Sequence, residues 1–431
     1  MEGSGRDVDH RVGAADVKRA LMIAYHFPPV QGSSGVQRTL KFCRYLPNYG
    51  WEPMVLTVNP LAYPATDAGQ MAEIPHGMVL KRTFALDTAR HLAIRGRYPY
   101  WLALPDRWAS WCVSAVIAGL RLIREYRPTV LWSTYPIATA HAVALMLHRL
   151  SGLPWVADLR DSMTEDSYPS DPKIWRAFRW IEKQTVERAS RVAFTTPAAL
   201  CMYRERYASL PPERWTLIAN GYDEENFRAA ERTVSRPSRR SGNRLVLVHS
   251  GVLYRSERDP SAFFAAIADL ARSKKISPEK LEIVLRASGD EAYYQKILDQ
   301  QGIAEIVKLK PALPYRAALE EMLRADGLLL FQAASCNHQI PAKLYEYLRT
   351  QRPVLALTDP AGDTACALRE AGAGRVVRID SREEIRDALL AFLREIGTLG
   401  DKVAVHDVQQ YSRQARTREL AQVFDAIAEG G

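Results

Sequence analysis

The chain has 431 residues, 47% of them apolar and 25% charged, which excludes a disordered or fibrous protein and leaves room for two domains with separate cores. Basic residues exceed acidic ones by a formal net charge of +9, which suits phosphorylated ligands, polyanions or an anionic membrane surface without choosing among them. The five cysteines, Cys43, Cys112, Cys201, Cys336 and Cys366, form no C-x-x-C pair, so their spacing gives neither a disulfide framework nor a zinc site and fits a reducing cytoplasm.

Residues 1–19 are polar and charged, and the apolar run after them is broken by His26, Pro28 and Pro29, which does not read as a secretory leader. From residue 20 onward short apolar runs at 21–25, 53–58, 129–133, 155–159 and 192–196 alternate with helical patterns or loops. The alternation predicts a parallel sheet covered by helices on both faces. After Asn220-Gly221 the chain turns polar, and residues 229–244, AAERTVSRPSRRSGNR, read as a linker. A second series of apolar runs follows at 245–251, 281–289, 306–310, 327–331, 353–357 and 375–379. The expected fold is therefore α/β, with two Rossmann-like doubly wound domains facing a central cleft, where open α/β sheets bind ligands beyond the carboxyl ends of their strands.

The loops after strands carry the candidate residues. Behind the first strand lies HFPPVQGSSGVQR, in which Gly32 and Gly35 allow close backbone approach to a ligand or serve only to turn the chain, and Arg38 lies on the helix beyond. The run at 155–159 leads into DLRD, Asp158 to Asp161, whose spacing does not suit a metal-binding D-x-D. Arg160 there either meets a ligand phosphate or pairs with Asp158 or Asp161 to fix the loop. The first strand of the second series ends in HSGVLYRSERDPSAFF, with Gly251 at the turn, Asp259 as expected N-cap and Pro260 at the first helical position. Arg258, just before the cap, is the favoured anion ligand over Arg255, which also reads as a solvated loop charge.

Residues 337–357, NHQIPAKLYEYLRTQRPVLAL, combine a helix start near Pro341 with a buried strand after Pro353. Free N–H groups at that start attract anions, Lys343 adds positive charge, and Glu346 one turn in can accept hydrogen bonds from sugar or ribose hydroxyls. The competing reading is an ordinary amphipathic helix with an exposed Lys and Glu. Residues 90–127 hold seven arginines against Asp106 and Glu125, interleaved with Tyr98, Tyr100, Trp101, Trp108 and Trp111. This composition suits a membrane interface, and nucleic acid also fits; the plain alternative is a helix packing its Trp and Ile face onto the first sheet. The longest charge-free run there, residues 108–120, falls short of the roughly 20 residues that span a bilayer. His141 and His249 read as structural.

The H-F-P-P-x-x-G opening, the D-x-R-D loop and the segment P-x-K-L-Y-E-Y-L followed by P-V-L, in this order along the chain, resemble a branch of the family 4 glycosyltransferases, over nearly all of residues 20–428. The chain departs from the wider family at His338, where a second acid is usual eight positions before the helical one, and at Val252, where a basic residue is usual. The resemblance implies the B-type glycosyltransferase fold and transfer of a sugar from a nucleotide-sugar to an acceptor hydroxyl, with retention and without metal or other cofactor. A UDP-sugar is the expected donor in preference to a GDP-sugar.

The implied roles place Gly251, Arg255, Arg258, Lys343, Leu344 and Glu346 at the donor, Arg160 and Asp161 at the reacting centre, and Gly32, Gly35 and Arg38 in the acceptor-side loop. The implied division is a tail at 1–19, an acceptor-side domain at 20–228, the linker at 229–244, a donor domain at 245–406 and, at 407–431, a final helix crossing back to the first domain. The expected partners are the nucleotide-sugar, a sugar or lipid-linked acceptor of polysaccharide or glycolipid synthesis, and an anionic membrane surface on the cytoplasmic side, with no nucleic acid. Two other classes share parts of this pattern: a sugar-nucleotide epimerase or hydrolase on the same fold, and a non-catalytic polyanion-binding scaffold.

Overall fold

The computed structural model describes residues 17–31, 34–166, 168–234, 244–398 and 407–429. Gly32 and most of the expected linker, residues 235–243, lie outside this set, as do residues 1–16; residues 229–231 of the expected linker instead end the helix Glu224–Glu231. Among the described residues thirteen strands form two sheets. The first holds β1 (Lys18–Ile23), β2 (Trp51–Val58), β3 (Val79–Thr83), β4 (Val130–Thr134), β5 (Trp155–Arg160), β6 (Arg191–Phe194) and β7 (Trp215–Leu217), in the order β3-β2-β1-β4-β5-β6-β7. The second holds β8 (Leu245–Ser250), β9 (Leu281–Arg286), β10 (Val307–Lys310), β11 (Gly327–Phe331), β12 (Val354–Leu357) and β13 (Gly374–Val377), in the order β10-β9-β8-β11-β12-β13. β1 runs parallel to β2 and β4, and β8 to β9 and β11. Each sheet thus reverses its winding beside its first strand, the switch point at which open α/β sheets leave a crevice for ligands.

The class expected from the alternating runs is the class observed. In the second sheet the alternation of side chains explains why the strands are apolar throughout. Leu329, Phe331, Leu355 and Leu357 face one core with Phe263, Phe264, Ile267, Leu389 and Phe392 of the covering helices. Their neighbours Leu328, Leu330, Val354 and Ala356 face the other core with Leu319, Met322, Leu344, Tyr347 and Leu348. Burial on both faces removes any polar side from such a strand. Each fully buried Leu or Phe contributes on the order of 2 kcal/mol, so the helix Ala342–Thr350 is held by Leu344, Tyr345, Tyr347 and Leu348 on one flank. Its other flank is left to Lys343 and Glu346.

Two strands were not expected, β3 and β7. β3 is an edge strand carrying Lys81 and Arg82 with little burial, and β7 is three residues long at the opposite edge, so neither has the two-sided burial that makes a continuous apolar run.

Packing divides the chain into two compact units, Met1–Val156 with Ala421–Gly431, and Ala157–Leu420. In the first, the helices Trp111–Tyr126 and Ala138–Ser151 approach so closely that a Cβ on Gly119 would lie 2.6 Å from Leu147 Cδ1. The helix Trp111–Tyr126 buries Trp111, Ala115, Ala118, Gly119 and Leu122, and Trp111 Nε1 donates to Thr83 Oγ1 at 2.9 Å. This bears out the packing alternative for Trp111 and for the face with Ala115, Ala118 and Leu122, but not for Val113 and Ile117, which lie on the opposite, exposed side. The end of the helix Arg413–Ala428 also belongs to this unit: Phe424 meets the Trp51 ring, and Asp425 accepts from Trp51 Nε1 and pairs with Lys18. In the second unit the peptides of Tyr222 and Tyr411 to Arg413 bond to each other, and Gly221 permits this, since a Cβ there would lie 2.6 Å from Tyr411 O.

Candidate functional site

Beyond β8 the chain turns at Gly251, whose φ of +125° favours glycine and which lies under the Lys343 side chain: a Cβ would lie 2.5 Å from Lys343 Nζ. The helix Ala342–Thr350 that carries Lys343 is tied to the same strand end by Tyr347, whose hydroxyl accepts from Ser250 N at 3.1 Å. The sequence therefore places a β-strand end, a glycine and a lysine from a helix about 90 residues later at one point. Arg258 joins them. Its guanidinium donates to Val252 O at 3.1 Å and lies over the Tyr254 ring, and its charge reaches Lys343. Among the described residues neither Lys343 nor Arg258 has a carboxylate within ion-pair distance.

A second cation close by raises the cost of ionising Lys343. Burial and then Arg258 bring the Lys343 ammonium down to about 7, with Glu346 pulling the other way. His249, beneath them at the end of β8, donates through Nδ1 to Leu329 O, packs edge-on to Phe331, and is kept neutral first by burial and then by Lys343. That is a structural histidine, as is His141, which is buried against Ser133.

Glu346 lies one turn along the helix from Lys343, on the flank that the core leaves uncovered. Its Oε1 accepts from Tyr315 Oη at 2.7 Å, and its carboxyl is pushed up first by burial, against the Tyr315 hydrogen bond and the Arg413 and Lys343 charges. Tyr315 and Arg413 were not among the expected residues. Pro314-Tyr315 could have been read as another helix start, but nothing in the sequence links Arg413 to Glu346; the bonds between Tyr222 and residues 411–413 do that.

Arg255 is drawn elsewhere. It pairs with Asp290 and stacks over the Tyr293 ring at 3.5 Å, which supports the loop-charge reading over the donor-binding one. Leu344 is a core residue of the second sheet, because its place on the helix points it inward between Leu330 and Leu348 in the same cluster. Asp259 caps as expected but one position early: it accepts from Ser261 N, and Pro260 occupies the cap position. Pro341 is likewise the cap residue, not the first helical one.

The D-x-R-D loop closes β5 on Arg160, which is buried and has φ +55°, a left-handed conformation that a non-glycine residue adopts only when its surroundings impose it. Thr195 Oγ1 donates to Arg160 O at 2.7 Å. The loop beyond is held from below by Glu182, fully buried, which accepts from Thr164 Oγ1, Tyr203 Oη and Tyr207 Oη and pairs with Arg179 and Arg206. Tyr203 Oη in turn accepts from Met163 N at 3.0 Å.

At the far end of the loop Glu165 Oε1 lies 2.9 Å from His338 Nε2. The Glu165 bond holds His338 above its ordinary value of 6.5, with help from Asp161 and Asp363, and His338 holds Glu165 below its ordinary 4.5. Thr196 Oγ1 also donates to His338 O at 2.6 Å. Asp161 and His338, far apart in sequence, are thus neighbours in charge. Gly35 opens the helix Ser34–Tyr45, and Arg38 on it is buried with its guanidinium over Phe42. Among the described residues no group of three or more His, Cys, Asp or Glu is placed to hold a metal ion, and no helix is long and apolar enough to cross a membrane.

Residues 34–221 match the family model described as a glycosyl transferase 4-like domain. No curated protein matches the sequence. Among solved structures, a glycosyltransferase from Rickettsia africae ESF-5 superposes with a TM-score of 0.66 at 11% identity, covering 96% of this chain and all of that one. HepE of Anabaena, in complex with UDP, gives 0.62 at 13% identity over 95% of this chain and 100% of its own. A putative UDP-N-acetylglucosamine 2-epimerase from Listeria monocytogenes gives 0.59 at 13% identity over 97% of this chain and 98% of its own. Likeness at such identities establishes the fold, the two Rossmann-like domains of the B-type glycosyltransferase architecture.

Proposed function

We propose that this chain is a metal-independent, retaining glycosyltransferase that takes a UDP-sugar as donor and passes the sugar to the hydroxyl of a sugar or lipid-linked acceptor. It acts on precursors of cell-surface polysaccharide or glycolipid, at the cytoplasmic face of a membrane. The observation that carries the reading is the approach of Lys343 Nζ over Gly251 beside Arg258, two cations without a carboxylate partner at the switch point of a doubly wound sheet. A nucleotide diphosphate supplies the missing negative charge.

In this assignment Lys343 and Arg258 bind the diphosphate and Glu346, oriented by Tyr315, accepts from the ribose hydroxyls. Arg160 and Asp161 serve the reacting centre, and Gly32, Gly35 and Arg38 the acceptor side. The bond from the anomeric carbon to the diphosphate breaks, the bond to the acceptor oxygen forms on the same face, and the acceptor's proton passes to the leaving diphosphate. Lys343 and Arg258 stabilise the charge that grows there.

The test is thermal stabilisation by UDP, GDP, ADP, CMP and their sugar conjugates. A ligand that binds only the folded state raises its melting temperature with occupancy. Stabilisation selective for UDP and its conjugates, lost in Lys343→Ala and Glu346→Ala, supports the reading; no response to any nucleotide sinks it in favour of a polyanion-binding scaffold. The likeness to an epimerase favours one second reading, a sugar-nucleotide epimerase or hydrolase. Consumption of UDP-sugar at the same rate with and without acceptors would establish that one instead.

A further inference from the structure

We propose that the outer face of residues 84–124 is a docking surface for an anionic lipid bilayer. The inference rests on the reading above only in placing the chain at a membrane; the donor site plays no part in it. The helix Trp111–Tyr126 turns Trp111, Ala115, Ala118, Gly119 and Leu122 inward, which sets Val113, Ile117, Arg121 and Arg124, spaced four, four and three residues apart, along its outward side. Val113 is 69% exposed, and Phe84, joined to the same helix by Ser114 Oγ donating to Phe84 O, is 63% exposed.

The loop from Leu92 to Leu104 is fastened to this region by Thr88 Oγ1 donating to Leu102 O at 2.9 Å, and it holds out Ile94, 80% exposed, and Trp101, 70% exposed. Single exposed apolar residues need no explanation, but Val113 and Ile117 on one helix face, with Phe84 bonded through its carbonyl to that helix and Ile94 and Trp101 on the loop before it, do.

Charge decides what covers it. Between residues 81 and 127 the exposed bases are Lys81, Arg90, Arg95, Arg97, Arg121, Arg124 and Arg127, and the exposed acid is Glu125 alone. The two other acids of this stretch do not offset them: Asp87 is buried against Arg107, and Asp106 is buried where it caps Thr139. A bilayer with anionic headgroups takes both parts of such a face. Phe84, Ile94, Trp101, Val113 and Ile117 enter the headgroup and acyl boundary, and the arginines stay with the phosphates. A nucleic acid would use the cations and the indole but offers nothing to Val113 and Ile117, since strand recognition works through stacking on aromatic rings.

The experiment is co-sedimentation of the full chain with vesicles of phosphatidylcholine alone and of phosphatidylcholine with phosphatidylglycerol. Binding is expected to the anionic vesicles only, and to weaken with added salt. Arg121→Gln and Arg124→Gln together should weaken it by about a factor of five for each arginine removed. Val113→Asp with Ile117→Asp should reduce it further with little change in melting temperature, because Val113 is 69% and Ile117 49% exposed. Lys275→Gln with Lys296→Gln, exposed bases of the other unit, should leave it intact.

Equal loss in that control, or binding that survives Val113→Asp with Ile117→Asp, overturns the proposal. So does binding to a single-stranded oligonucleotide that these two changes do not affect while vesicles are ignored. UDP stabilisation measured on the same samples separates the two readings. Vesicle binding lost with nucleotide binding kept counts against this face alone, and the reverse counts against the donor site alone.

Discussion

The loops that leave β5 and β8 both carry arginines and acids, yet they are built in opposite ways. Beyond β5 the charges are matched: Glu182 meets Arg179 and Arg206 with two tyrosines and a threonine, and Glu165 meets His338. Beyond β8 Arg255 is matched by Asp290, but Lys343 and Arg258 share a corner over Gly251 with only Glu346 acting on Lys343 from a turn away. A matched cluster fixes a backbone; an unmatched pair of cations is a cost that only a bound anion removes. In the proposed assignment the first arrangement fixes the loop that carries Arg160 and Asp161, and the second holds the donor's diphosphate.

The sharpest break of that comparison is at Glu182. Glu182→Ala leaves two arginines and two tyrosine hydroxyls without their acceptor in a buried place, which should cost about 3–5 kcal/mol of stability by chemical denaturation. A loss below about 1 kcal/mol would mean that the loop is not held from beneath. Lys343→Ala should do the reverse, weakening UDP-glucose binding by about 2–3 kcal/mol in calorimetry while the melting temperature of the free protein holds or rises, because a repulsion has gone. A fall in both together would make Lys343 structural. Gly251→Ala brings a methyl group against the Lys343 head at a backbone angle that L-residues avoid, and should cost on the order of 1–3 kcal/mol in stability as well as affinity.

Acidity sharpens the comparison further. The Lys343 ammonium, at about 7 in the free protein against an ordinary 10.5, gains its proton when a diphosphate binds. UDP-glucose, whose own diphosphate does not titrate there, should therefore bind less tightly as pH rises through about 7, and Lys343→Gln should flatten the profile. In the absence of ligand the lowered value works the other way: the unfolded chain holds more protons between about 7 and 10.5, so this group makes stability rise with pH across that window.

The smallest effect is expected at His338. Its raised value makes its contribution complete below its ordinary 6.5 and lost as pH climbs through the higher folded value, while the lowered Glu165 contributes above its ordinary 4.5 and is lost as pH falls further. Both groups are partly exposed, so the pair should be worth well under about 1 kcal/mol. His338→Gln should remove this pair's expected loss of stability as pH rises above the histidine's ordinary 6.5, read as melting temperature against pH, and an unchanged profile in the variant would place its origin elsewhere.

By itself the sequence determined the two doubly wound sheets, because strands buried on both faces must read as unbroken apolar runs, as at 327–331 and 353–357. It also marked Gly251, Arg258, Lys343 and Glu346, since a glycine turn and a helix start are set by neighbours in the chain. It gave no sign of the edge strands β3 and β7, which lack that burial, or of which base would be spent on a surface pair, as Arg255 is on Asp290. Arg413 near Glu346, Glu165 on His338, the outward turn of Val113 and Ile117, and the burial of Leu344 were decided only by tertiary structure. Each depends on which residues from distant parts of the chain arrive to neutralise a charge or cover a face, and spacing along one helix or loop contains no record of that.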